Sequence, residues 1–274
     1  MFISKIKLSF IAILFHCFTG YSYTEAMQIG FAHNLSLEPS HRMTINQAAA
    51  RLGEVISTTY DKPYDQRFDV VVRLSITELD GQGGTLAQAG PTKWFQSSHD
   101  GLFYPYEGEM EIDIADLNDP GLYNIVTHEL IHVLGFGTLW EENNLVKLYE
   151  PDSPYFSGKK AIKAYSQLSG KRQKFVPLEK SGGSGTMGSH WRESIFNNEL
   201  MTGYYNTDQI NPLSKLTLAA FEDMGFEVNY SNADIYSIPS HRASLVQGRL
   251  DSHNKHPYHN CKGYTPTPTC CCLS

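Results

Sequence analysis

"THELIHVLGFGTLW", running Thr127-His128-Glu129-Leu130-Ile131-His132-Val133-Leu134-Gly135-Phe136-Gly137-Thr138-Leu139-Trp140, places two histidines four residues apart with a glutamate directly after the first. At 3.6 residues per turn, positions i and i+4 lie almost above one another, so His128 and His132 can present both imidazoles to one metal ion. Glu129 points about 100° away, beside the ion's remaining coordination position, which suits a general base acting on water. Ile125, Val126, Leu130, Ile131, Val133 and Leu134 make the segment apolar on nearly all sides, so the helix predicted from about Leu122 to Leu134 is largely buried. Two buried imidazoles flanking a buried carboxylate carry a desolvation cost that a metal removes; a pair of surface histidines would leave the pattern without a reason. Gly135 stands where a left-handed residue ends the helix. A hydrolytic zinc takes three protein ligands, and this stretch supplies two.

With 274 residues, 41% of them hydrophobic, the chain is long enough for one substantial domain, or one domain with a small lobe. Lys5 and Lys7 followed by Leu8-Ser9-Phe10-Ile11-Ala12-Ile13-Leu14-Phe15 and then by small and polar residues read as a secretory signal peptide over residues 1–26. The apolar run falls short of the roughly 20 residues that span a bilayer. A cut just before Thr24 removes Lys5 and Lys7 and takes the formal charge from −7 to about −9. The basic residues Lys159, Lys160, Lys163, Lys171, Arg172 and Lys174 read as a solvated face, so no nucleic-acid partner is expected. No cysteine lies between Cys17 and Cys261, and a domain of this size has core enough to fold without disulfides.

Met27–Ala32 is a candidate first strand. Thr44-Ile45-Asn46-Gln47 fits a capping box, with Ile45, Ala48, Leu52, Val55 and Ile56 recurring at helical spacing behind it. Phe68–Ile76 is rich in β-branched residues and reads as a strand, ended by a turn at Asp80-Gly81-Gln82-Gly83-Gly84. Met110–Asp116 alternates apolar and acidic residues and is predicted as a half-exposed strand; Glu111, Asp113 and Asp116 are either its solvated face or a calcium site. From Trp140 to Ser189 the chain is loop-rich, with a short helix around Lys160 to Leu168. A last helix is expected with Asn211 as N-cap, Pro212 in the first turn and Gly225 as its stop. Beyond about Ser237 the polar, proline-containing sequence reads as a linker.

His128-Glu129-Leu130-Ile131-His132-Val133-Leu134-Gly135 resembles the opening of the metzincin zinc peptidases, whose usual third histidine follows three residues after the glycine. Thr138 occupies that position here. The stretch Gly188-Ser189-His190-Trp191-Arg192-Glu193-Ser194-Ile195-Phe196-Asn197-Asn198-Glu199-Leu200-Met201-Thr202 resembles the leishmanolysin family, in which a long insertion separates the glycine from that histidine. The insertion is 190 − 138 = 52 residues. Asp80–Pro91, the Gly135–Trp140 run, Gly182–Thr186 and Glu199–Gly203 extend the likeness over roughly Met27 to Ala233, most like the bacterial secreted members.

The resemblance implies an α+β, metzincin-like zinc peptidase: a twisted mixed sheet, an active-site helix and a smaller C-terminal lobe after the Met-turn region. With the leader and the tail read from their own residues, the chain divides into a signal peptide at 1–26, a catalytic domain at 27–236 and a polar, cysteine-rich tail at 237–274. The resemblance implies Zn2+ held by His128, His132 and His190, Glu129 as general base, Met201 as the apolar floor of the Met-turn, and a protein or peptide substrate. A zinc hydrolase of a non-peptide acyl bond and a non-enzymatic binding module are the two rival readings. Tyr204 and Tyr205 either stabilise an oxyanion or pack, and the strand at Met110–Ala115 is the expected edge for pairing with an extended substrate. Protozoan members carry a propeptide cysteine that blocks the zinc; with none between Cys17 and Cys261, a cysteine switch is not expected. Outside the signal segment, the other histidines, His33, His41, His99, His241, His253, His256 and His259, read as surface residues.

Cys271-Cys272-Leu273-Ser274 fits the C-a-a-X pattern, with serine favouring farnesyl and Cys270 open to palmitoylation. Prenyl transfer is cytosolic, so it agrees with secretion only if a bacterium exports the chain and a host cell lipidates it at Cys271, giving association with a host membrane. The alternative is a disulfide from Cys261 to one of the terminal cysteines.

Overall fold

A computed structural model describes residues 25–32, 37–58, 60, 67–148, 153–183, 185–239 and 255–257. The signal-peptide reading falls almost wholly outside the described residues. So do the tail cysteines and His33, His241, His253 and His259.

Strands β1 (Glu25–Ala26) and β2 (Ile29–Ala32) precede helix α1 (Pro39–Val55), which buries Ile45, Ala48, Ala49, Leu52 and Val55 along one stripe and runs straight into β3 (Ile56–Thr58). The helix starts five residues before Thr44, because Pro39 presets the first turn. The Thr44 hydroxyl donates to the Ser40 carbonyl inside the helix and caps nothing.

Next come β4 (Val70–Thr77), β5 (Ala87–Gln96) and β6 (Phe103–Asp113). They form a mixed sheet of order β2-β4-β6-β5, parallel across β2, β4 and β6 and antiparallel at β5. This places the Met110–Asp113 strand in the interior of the sheet, between two partners. The expectation of an edge strand there is corrected: among the described residues the edges of this sheet are β2 and β5. Pro91 lies on β5, where the register breaks between Pro91 and Lys93, as suits a residue that lacks an N–H on a strand with one partner among the described residues.

Helix α2 (Leu122–Val133) is buried at every position from Ile125 to Val133. It ends as the sequence predicts: Gly135 has φ +100°, its N–H donates to the His132 carbonyl at 3.0 Å, and the Phe136 N–H donates to the Ile131 carbonyl at 3.2 Å, the pair of bonds of a Schellman cap.

Beyond the cap, β7 (Val146–Leu148), β8 (Pro154–Phe156) and, after helix α3 (Lys159–Ser169), β9 (Val176–Pro177) make a small antiparallel sheet. A short helix α4 (Glu193–Phe196), strand β10 (Tyr204–Asn206), helix α5 (Lys215–Asp223) and strand β11 (Glu227–Val228) follow. Strand β12 (Lys255–Pro257) pairs antiparallel with β10, and β11 joins β1 and β3 in a separate three-stranded sheet. The N-cap of α5 is Ser214, whose hydroxyl accepts from the Leu216 N–H at 3.1 Å, so Asn211 is not the cap. Asn211 instead binds Asn206 in both directions, at 3.1 and 2.9 Å. Among the described residues no helix is long and apolar enough to cross a membrane.

Phe136, Trp140, Phe156, Trp191, Phe196 and Phe221 are fully buried and in mutual ring contact. Each such ring removes roughly 150–250 Å² from water. This aromatic cluster fastens the turn after α2 to the segment after His190.

Candidate metal centre

Helix α2 carries His128 and His132 one turn apart, and the loop at Gly188–Trp191 brings His190 to them. All three rings are fully buried. The Nε2 atoms of His128 and His132 lie 3.0 Å apart, those of His128 and His190 3.2 Å, and those of His132 and His190 2.9 Å.

The opposite ring nitrogens decide what those Nε2 atoms are. His128 Nδ1 faces the Leu200 carbonyl at 2.7 Å, and His132 Nδ1 faces the Phe136 carbonyl at 2.8 Å. His190 Nδ1 lies 3.2 Å from the Thr186 carbonyl and 2.9 Å from Ser189 Oγ, which itself donates to the Gly185 carbonyl at 2.8 Å. A carbonyl only accepts, so each Nδ1 carries the proton and each Nε2 is left with its lone pair. Three lone pairs therefore converge on one point. The three Nε2 atoms lie 2.9–3.2 Å from one another, close enough for one ion to reach all three at a zinc–nitrogen bond of roughly 2.0–2.1 Å. These three histidines form a group that could hold a metal ion.

Burial, with the neighbouring His190 second, holds the His132 pKa well below its ordinary value, which keeps the imidazole neutral. Glu129 is fully buried, and burial pushes its carboxyl well above the usual range.

Thr138, at the position where a closer third histidine would stand, donates its hydroxyl to the His132 carbonyl at 2.8 Å and so satisfies the end of α2. Gly137, at φ +77°, lets the loop in: a Cβ there would collide with the Ser189 carbonyl oxygen and lie 2.9 Å from Ser189 Cβ. Tyr205 is buried with its phenol against Gly121, which is the packing role; Tyr204 is half-buried.

The acidic strand end is not a plain solvated face: Asp113 and Asp116 are buried. Asp113 Oδ2 accepts from the Asp80 and Gly81 N–H groups at 3.1 and 2.9 Å, and Asp116 Oδ1 accepts from Gly83 at 2.9 Å, so these carboxylates anchor the Asp80–Gly84 turn. Glu111 binds the Gln88 amide across the strand pair. Of the histidines read as surface residues, His99 is exposed, while His41 is half-buried and bonded to Asn118.

Sequence reasoning gave no role to Glu199, Ser189 or the carbonyls of Leu200 and Phe136. Backbone acceptors carry no residue signature. The one legible signal was Glu199 itself, a carboxylate directly before the apolar pair Leu200-Met201.

The leishmanolysin family model matches residues 69–244, that is 176 of 274 residues. A leishmanolysin homolog of Crithidia fasciculata is 32% identical over 173 residues, covering 59% of this chain and 25% of its own length. Leishmanolysin of Leishmania major is 29% identical over 177 residues, 58% of this chain and 27% of its own. A leishmanolysin-like peptidase of Drosophila melanogaster is 44% identical over 57 residues, 20% of this chain and 8% of its own. The chain thus spans about a quarter of the length of the first two relatives. With three histidines converging on one point and more than half of the chain matched, the protein belongs to the leishmanolysin family, peptidase family M8.

Proposed function

We propose that the chain is a secreted, zinc-dependent endopeptidase of metzincin architecture, with residues 27–236 as its catalytic domain. His128, His132 and His190 hold the ion through Nε2. The observation that carries this reading is the ring orientation: every Nδ1 faces an oxygen acceptor, so every Nε2 lone pair points inward. When bound, zinc supplies Lewis acidity and lowers the pKa of a water towards about 7.

Glu129 follows His128 on the same buried helix, about 100° further round it. In this reading its carboxylate takes the proton of the water that attacks the scissile carbonyl and returns it to the leaving amine. Met201 forms the apolar floor. The peptide lies extended along β5, whose pairing with β6 alone, among the described residues, leaves its outer side open to main-chain bonding. Export through the segment at 1–26 belongs to the same proposal and rests on its sequence.

The test is zinc content measured together with casein cleavage, for the parent and for Glu129→Gln. The expected outcome is one zinc per chain in both, with cleavage reduced by about 10²–10⁴ in the variant. Equal cleavage by the two proteins, or undiminished cleavage by zinc-free parent, would refute the reading.

A further inference from the structure

Two residues before Met201, the Glu199 side chain is fully buried in a place where an apolar residue would be the ordinary choice. Burial raises its pKa, while its bonding partners oppose the rise. Those partners have a direction. Oε2 accepts from the Met201 N–H at 2.7 Å. Oε1 accepts from the Ser214 hydroxyl at 2.6 Å, the Thr217 hydroxyl at 2.6 Å and the Ser214 N–H at 3.2 Å.

The Met201 N–H and the Leu200 C=O belong to one peptide unit, which is planar and trans, so the two groups point in opposite directions. Gripping the N–H from one side aims the carbonyl to the other. On that other side the Leu200 carbonyl accepts from His128 Nδ1 at 2.7 Å. The same carboxylate reaches towards the second arm of the site as well. Thr217 Oγ1, which donates to Glu199, accepts from the Trp191 indole N–H at 2.9 Å, and the Trp191 N–H donates to the Met201 carbonyl at 2.9 Å. Trp191 directly follows His190.

We infer that Glu199 is a positioning residue for the metal centre: anchored on α5 by Ser214 and Thr217, it fixes the Leu200–Met201 peptide so that the Leu200 carbonyl holds the His128 ring in the tautomer and orientation that a metal requires. The inference rests on the three-histidine reading of the centre. It assigns Glu199 a task beyond stability, because the bond it controls ends on a ligand nitrogen.

The experiment uses the full chain and measures two quantities for the parent, Glu199→Ala, Thr217→Val and Asp113→Asn: the zinc dissociation constant, by competition with a chromophoric chelator, and the apo-protein Tm. The visible spectrum of the Co2+-loaded protein is recorded beside them. Removing an acceptor from a metal-bound histidine weakens metal binding by about 10–100-fold. Glu199→Ala is expected to weaken zinc by that factor and to alter the cobalt spectrum, and Thr217→Val to do so to a smaller degree with less disturbance of the fold. Asp113→Asn removes a buried carboxylate whose bonds reach the Asp80–Gly84 turn and none of the three histidines, and is expected to lower Tm with zinc affinity unchanged.

If Glu199→Ala fails to fold, Thr217→Val decides. Zinc affinity within twofold of the parent in every folded variant, with only Tm falling, would make Glu199 merely structural and overturn the inference. A parent that binds no zinc would overturn the three-histidine reading itself, and the inference with it.

Discussion

The two sides of the metal centre are built on different principles. On the helix side, His128 and His132 sit in a run of nine consecutive buried residues, Ile125–Val133, and the helical repeat alone sets their spacing. On the loop side, His190 arrives after 52 inserted residues, and no repeat fixes it. Its place depends on contacts scattered along the chain. The Glu179 N–H donates to the His190 carbonyl at 2.9 Å, Ser189 bridges to Gly185 and Thr186, and Gly137 leaves room for Ser189. The contrast teaches that a metal site can be half periodic and half assembled, and that the assembled half is held by many small terms.

The strongest way to break the comparison is to remove the loop's ligand. His190→Ala should lose zinc affinity by more than the 10–100-fold typical of an outer partner, and should match His132→Ala, because a metal counts ligands without regard to how the chain delivers them. Equilibrium dialysis against buffered zinc measures this. Full retention of zinc by His190→Ala would show that the loop side is not part of the centre.

A smaller effect sharpens the comparison by separating contact from conformation. Gly137 and Gly183 both have positive φ, +77° and +87°, yet a Cβ at Gly183 meets nothing within 4 Å, whereas one at Gly137 strikes the Ser189 backbone. Each alanine variant carries about 1–2 kcal/mol of backbone strain. Both should lower Tm. Only Gly137→Ala should also weaken zinc, by roughly tenfold, since it pushes on the residue beside His190. Equal zinc loss in the two would mean that loop conformation, and not the contact with the turn after α2, places the third ligand.

The same contrast explains what could be read from the sequence. The helix, its glycine stop and the His128–His132 pair were legible because each obeys a local rule: helical period, positive φ at Gly135, ligands at i and i+4. The buried stripe of α1 was legible for the same reason, and its start was misjudged because Thr44 satisfies a capping pattern while Pro39 sets the first turn. His190 was reached only through resemblance, since nothing local marks residue 190 as the partner of residue 132. Strand β5 was not read as a strand: Gly90 and Pro91 carry no β-propensity, and its place is set by pairing with β6. The acidic strand end was misread because alternation along Met110–Asp116 looks the same whether the alternate side chains meet water or meet backbone N–H groups of a neighbouring turn.

That misreading yields the smallest prediction. Burial alone would push the Asp113 carboxyl up, but donors at Ala115, Gly81, Asp80 and Leu79 outweigh it and hold the pKa below its ordinary 3.8. A depressed carboxylate pKa contributes stability above the unfolded-state value and loses it as pH falls through the folded one. Asp113→Asn should therefore cost about 1.5–3 kcal/mol at pH 7, the range for hydrogen bonds to a charged group, and the gap to the parent should narrow below about pH 4. Urea unfolding of both proteins at pH 7, 5 and 3.5 measures the gap. Since Asp113 holds a turn on the sheet side with no bond to the histidines or their carbonyls among those described, zinc affinity at pH 7 should stay within twofold. A gap independent of pH would mean that the amide satisfies the same donors as the carboxylate, and that the charge contributes nothing to holding the turn.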